Sequence, residues 1–127
     1  MKNFENYDEL NFVRELSQKI KNLYPNYILK QEYKIGRYRP DLYIENGLKN
    51  FVIEVKMHKN YSSLPFSTLI QLEDYKNSFL NAQIILISFS HINIMMSNKM
   101  REMDILNINN PSSFDEIINK IFNKNAT

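Results

Sequence analysis

The chain has 127 residues, of which 43% are hydrophobic and 24% charged; this is ordinary for one globular domain and excludes disorder for the bulk of it. Sixteen Lys and Arg against fourteen Asp and Glu give a net charge of only +2, which neither demands nor excludes a nucleic-acid partner, since a local basic patch decides more than the total. The lack of cysteine rules out disulfides, thiolate metal sites and a thiol nucleophile.

No apolar run reaches membrane-spanning length, and the start is polar and acidic, so the expectation is a soluble cytoplasmic protein with no membrane partner. Residues 8–24 predict a helix, with Leu10, Val13, Leu16, Ile20 and Leu23 at helical spacing and Pro25 just beyond. Residues 27–35, rich in Tyr and Ile, predict a strand. Two further strands, 40–46 and 50–58, flank Asn46-Gly47, a strong hairpin signal. A polar loop is expected over 59–66 and a second helix over 67–80. The run 83–89 is short and β-branched and predicts a strand buried on both faces. Residues 92–103 are ambiguous, although Met95, Met96, Met100 and Met103 fit a short helix, and 104–108 fit a last strand. Ser113 and Glu116 then fit a capping box that opens a helix striped by Phe114, Ile117, Ile118 and Ile121. No repeat or linker divides the chain, so one domain over 1–127 is expected. The element order implies an α/β fold: a mixed central β-sheet flanked by helices.

The chemistry concentrates in the hairpin. Side chains alternate along a strand, which sets Leu42 and Ile44 on one face and Asp41 and Tyr43 on the other. In the next strand Phe51, Ile53 and Val55 share a face, opposite Val52, Glu54 and Lys56. A two-residue turn at Asn46-Gly47 sets Asp41 across from Val52, diagonal to Glu54, whereas a four-residue loop from Asn46 to Lys49 sets Asp41 directly across from Glu54. Both keep apolar with apolar and charged with charged; a three-residue loop mixes them. Opposed or diagonal partners have Cβ atoms roughly 4.5–8 Å apart, and two carboxylates at that range repel unless a cation lies between them. Mg²⁺ or Mn²⁺ suits such hard oxygen ligands, and would acidify a water and neutralise a phosphodiester there. Lys56, on the same face, is placed to orient the attacking water. The plainer alternative is a hairpin whose outer face is merely solvated. Tyr43 and Val52 on that face, and the interior character of 51–57, count against it.

Pro40-Asp41, twelve intervening residues and Glu54-Val55-Lys56 resemble the motif of the PD-(D/E)xK nuclease superfamily, the restriction-endonuclease-like fold. The resemblance covers about residues 8–90. It implies an α/β/α sandwich, metal held by Asp41, Glu54 and the carbonyl of Val55, and Lys56 near the nucleophile. Many members add a Glu from the first helix. Glu9 is the candidate here, on the stripe of Phe12, Val13 and Leu16, with Glu15 the competitor. Gln71 and Tyr75 have the Gln-x3-Tyr spacing seen in nuclease domains of recombination helicase–nucleases and type I restriction subunits. Thr68 and Gln71 also fit a capping box, and Tyr75 also fits plain core.

Arg37 and Arg39 flank the presumed site as phosphate-binding candidates; His58 follows the strand in reach of a metal or proton-transfer role, although a lone loop His more often has neither, and His91 carries no partner pattern. The resulting expectation is a Mg²⁺- or Mn²⁺-dependent nuclease, with DNA favoured by the resemblance. A domain this small has little surface to grip a duplex, so a homodimer is expected, with 83–94 and the Met segment as interface material. The rivals are a catalytically silent nuclease-fold module for nucleic-acid binding or assembly, and a small interaction protein whose motif is accidental.

Overall fold

The computed structural model describes residues 4–34, 36–57 and 63–123. In chain order the elements are α1 (Glu9–Leu23), β1 (Ile28–Gln31), β2 (Leu42–Glu45), β3 (Asn50–Lys56), α2 (Phe66–Ser78), β4 (Ala82–Ser88), α3 (Ile94–Glu102), β5 (Leu106–Asn109) and α4 (Phe114–Phe122). The five strands form one sheet in sequence order. β2 runs antiparallel to both β1 and β3, and β3, β4 and β5 then run parallel to one another. Parallel neighbours need a crossover, and α2 and α3 supply the two that are required. This is the expected mixed α/β sheet.

Helix starts follow from local chemistry. Asp8, Asn93 and Ser113 each accept an otherwise unpaired first-turn amide. The α4 box is nearly as expected, except that Glu116 reaches back to the Ser112 N–H at 3.0 Å rather than to Ser113. The ambiguous Met segment is α3, with Met96 and Met100 buried and Met95 outside.

Two apolar clusters sandwich the sheet. One joins Phe12, Leu16 and Ile20 of α1 and Ile117 and Ile121 of α4 to the Leu42, Ile53 and Ile85 face. The other joins Leu69, Leu72 and Tyr75 of α2 and Met100 of α3 to the Tyr43, Val52 and Leu86 face. Ile84 through Ile87 are buried on both sides, as the unbroken apolar run implies.

Three expectations need correction. The α1 stripe is Phe12, Val13, Leu16 and Ile20, with Leu10 50% and Leu23 59% exposed, because the sheet subtends a narrower face than the five spaced residues span. β1 stops at Gln31, not at residue 35, since Glu32 turns into the left-handed region (φ 49°) and breaks the extended run. The run 83–88, expected to lie at an interface, is buried inside the fold together with Met96 and Met100, while Ile94 and Met95 lie strongly exposed as large apolar side chains. His58 and residues 59–62 of the expected loop lie outside the described residues, while Leu64 donates its N–H to the His91 carbonyl at 2.9 Å. Among the described residues no helix is long and apolar enough to cross a membrane.

The revised α1 stripe can be tested in urea. Leu16→Ala is expected to cost about 2–5 kcal/mol at unchanged m-value, whereas Leu10→Ala shifts stability by less than about 1 kcal/mol.

Candidate active site

The hairpin register fixes the site. Glu45 pairs with Asn50 and Leu42 with Ile53, leaving a four-residue loop from Asn46 to Lys49. Asn46 holds it by accepting the Leu48 and Lys49 amides at 2.9 and 2.7 Å, and Gly47 takes the left-handed φ of 89° that favours glycine. One step past Leu42↔Ile53, Asp41 stands across from Glu54, on the sheet face that α2 covers.

One further step sets Pro40 across from Val55, and proline brings no N–H to the ladder. The Asp41 carboxylate takes over there, its Oδ2 accepting the Val55 N–H at 2.7 Å. In a strand the N–H and C=O of one residue point the same way, so the Val55 carbonyl is directed to the same edge of β3. Backbone pairing thus gives way to side chains where the motif lies.

Glu54 is only 5% exposed. Its Oε1 accepts from the Tyr75 hydroxyl at 3.1 Å, and the Lys56 ammonium lies 3.3 Å from its Oε2. Gln71, one helical turn before Tyr75, donates to that same hydroxyl oxygen at 3.2 Å. The capping-box alternative for Gln71 is removed, because α2 is capped at Pro65 without a side-chain bond. Tyr75 is core, as its alternative had it, yet its hydroxyl reaches the motif.

Burial is the main force on the two acids. It raises Asp41 from 3.8 to about 6, the Val55 N–H and Lys56 opposing and the Glu9 charge adding to the rise. Burial raises Glu54 from 4.5 to about 7, with the Asp41 charge adding and Lys56 opposing. The Tyr75 hydroxyl is pushed well above its usual range by burial and by the Glu54 charge, so it remains a donor. Two desolvated acids that repel one another, served by one ammonium, form an oxygen-rich site short of positive charge.

Glu9, in the first turn of α1, accepts the Met57 N–H at 3.2 Å just past the end of β3. Glu15 instead accepts from Tyr7 at 2.6 Å and lies 4.0 Å from Lys19. Of the two helix carboxylates, Glu9 is thus the one at the motif. Among the described residues no three His, Cys, Asp or Glu side chains gather in a group that could hold a metal ion, although the Glu9 charge reaches Asp41. Arg37 and Arg39 line an open cleft with Gln71 and Tyr75. Arg39 is weakly paired, 4.0 Å from Glu32, and Arg37 is held by the Tyr38 hydroxyl at 3.1 Å. Tyr38 and Asp74 line the same cleft and were missed in the sequence. Asp74, three residues after Gln71 on one helix, was findable by spacing; Tyr38, between two arginines in an irregular loop, had no periodic signal.

No family model matches this chain, and no curated protein matches it in sequence. Solved structures do match its fold. Protein VC1899 from Vibrio cholerae is similar at a TM-score of 0.70 and 16% identity, over 90% of this chain and 33% of that one. The chain therefore spans about a third of VC1899. Protein AF1548, of unknown function, follows at 0.56 and 12% identity, over 91% and 66% of the respective chains. SfsA from Pyrococcus furiosus, solved in complex with Ca²⁺, is similar at 0.50 and 11% identity, over 78% and 54%. At such identity the likeness shows a related fold and no more.

Both acids bind protons more tightly folded than unfolded, so without metal their contribution to stability is complete below about pH 4 and is lost as pH rises to about 7. Glu54→Gln keeps an acceptor for Tyr75 and removes the charge. In chelator at pH 8 it is expected to be more stable than the parent by roughly 1–3 kcal/mol, with a flatter profile of melting temperature against pH.

Proposed function

We propose that this chain is a metal-dependent nuclease that hydrolyses phosphodiester bonds of nucleic acid, with DNA the favoured substrate from the motif resemblance. The observation that carries this reading is the pairing of Asp41 with Glu54 across β2 and β3, both acids raised by burial and Lys56 3.3 Å from Glu54. The donor set fits Mg²⁺ or Mn²⁺: two hard carboxylates and the Val55 carbonyl, with room in the coordination sphere for water and phosphate. Glu9 would serve from the rim, anchoring Met57 at the end of β3. When bound, the ion would lower the pKa of a water and neutralise charge on the phosphodiester.

The chain's own groups have separable tasks. Asp41 and Glu54 supply the negative charge that selects a divalent ion. Tyr75, donating to Glu54 and itself bonded by Gln71, fixes the carboxylate rotamer, which an unsupported side chain would not keep. The Lys56 ammonium orients the attacking water or offsets charge on the phosphorane as water adds in line and the leaving oxygen departs. Arg37 and Arg39 bind flanking phosphates from the cleft. Because the ligands must be deprotonated to hold an ion, activity is expected to fall as pH drops below about 7.

Asp41→Asn and Glu54→Gln are each expected to abolish cleavage of linear, circular, single-stranded and branched substrates in Mg²⁺ or Mn²⁺, with the fold retained by circular dichroism. Saturating Mn²⁺ should raise the melting temperature of the parent and not of either variant. Full metal-dependent cleavage by Glu54→Gln would overturn the assignment, and nucleic-acid binding with no cutting under either ion would favour the silent module instead.

A further inference from the structure

Behind Tyr75 lies a cleft of about 430 Å³ between the 36–40 loop and α2, within the size range of small-molecule sites. Its inner side is aromatic: the Tyr38 ring meets Tyr75 edge-on at 6.0 Å between centroids. The Arg37 guanidinium sits 5.2 Å from the Tyr38 centroid and feels the Asp74 charge across the cleft, which Arg39 lines as well. α2 supplies the other wall, where Ile70 stays 50% exposed and Asp74 follows one turn later.

This mixture is a poor match for a duplex backbone. A groove that only tracks phosphates gains nothing from an isoleucine, and Asp74 offsets one of the two arginines that would hold them. It is a good match for an unpaired base. Base faces are apolar and stack on aromatic or aliphatic surface, their edges offer amino groups to an acceptor such as Asp74, and the attached phosphate suits Arg37. In a duplex those faces are already covered by neighbouring pairs.

We infer that the cleft between the 36–40 loop and α2 receives one unstacked nucleobase of a single-stranded or unpaired segment, beside the phosphodiester presented to Asp41 and Glu54. The position of that phosphodiester rests on the nuclease reading above; the base site itself rests on the cleft. Selection for unpaired strands follows, because a paired base must first be pulled from its stack.

The test uses the full chain carrying Asp41→Asn to prevent cutting, in chelator, with fluorescein-labelled oligonucleotides followed by anisotropy. A single strand is expected to bind about tenfold tighter than the blunt duplex of the same sequence. Adding Ile70→Glu, a change at an exposed position, should remove that preference, and an abasic residue placed along the strand should reproduce the loss at one position. Adding Arg37→Gln should lower the slope of affinity against salt by about one ion while keeping the preference. Equal binding of strand and duplex, or a preference untouched by both Ile70→Glu and every abasic position, would overturn the inference. The two readings fail separately. A strand preference in a parent chain that cuts nothing with Mg²⁺ or Mn²⁺ sinks only the nuclease, whereas metal-dependent cutting without strand preference sinks only the base site.

Discussion

A single hydrogen bond, from the Val55 N–H to the Asp41 carboxylate, organises this end of the molecule. It occurs where Pro40 can no longer extend the antiparallel ladder, so a side chain continues what the backbone has stopped doing. That substitution pins Asp41 at the sheet edge and turns the acid toward Glu54 across the hairpin. It also lowers the proton affinity of Asp41 against the larger opposing effect of burial. The cluster is thus assembled by secondary structure rather than by flexible loops, which suits a site that must keep two acids in place against their own repulsion.

The second sheet face extends the same economy of parts. α2 packs Leu69, Leu72 and Tyr75 on the sheet, and the same helix turns Gln71 toward the Tyr75 hydroxyl. Tyr75 therefore has two roles at once: its ring fills the core and its oxygen steadies Glu54. Glu9 plays a similar part from the other layer, tying the first turn of α1 to Met57. The two helices thereby hold neighbouring points at the end of β3, α2 through the Glu54 side chain and α1 through the Met57 backbone.

How much of this was legible in the sequence varies with the physics involved. The acids were readable because strand alternation is strict, and Asn46-Gly47 limited the turn to lengths that keep Asp41 and Glu54 on one face. Only the three-dimensional register chose the four-residue loop. The doubly buried β4 announced itself through an unbroken apolar run. Leu10 and Leu23 misled because helical spacing alone does not say how wide a face the sheet will cover. β1 was overextended because nothing in a Tyr- and Ile-rich stretch signals that Glu32 will adopt a left-handed backbone. The cleft beside Tyr75 was partly hidden: Arg37, Arg39 and Gln71 stood out individually, but Tyr38 and Asp74 meet them only through the fold.

The strand directions carry one more consequence. β3, β4 and β5 all finish at the end of the sheet where β2 begins, so Asp41, Met57, Phe89 and Asn110 all stand at that end. The opposite end is closed by tight connections that place Gly47, Asn81 and Asp104 at positive φ. The acid end is shaped in the same way, with Glu32, Gly36 and Asn110 at positive φ as well. Both rims are therefore held by backbone shape, so lengthening or shortening a connection at either end must spare these left-handed positions.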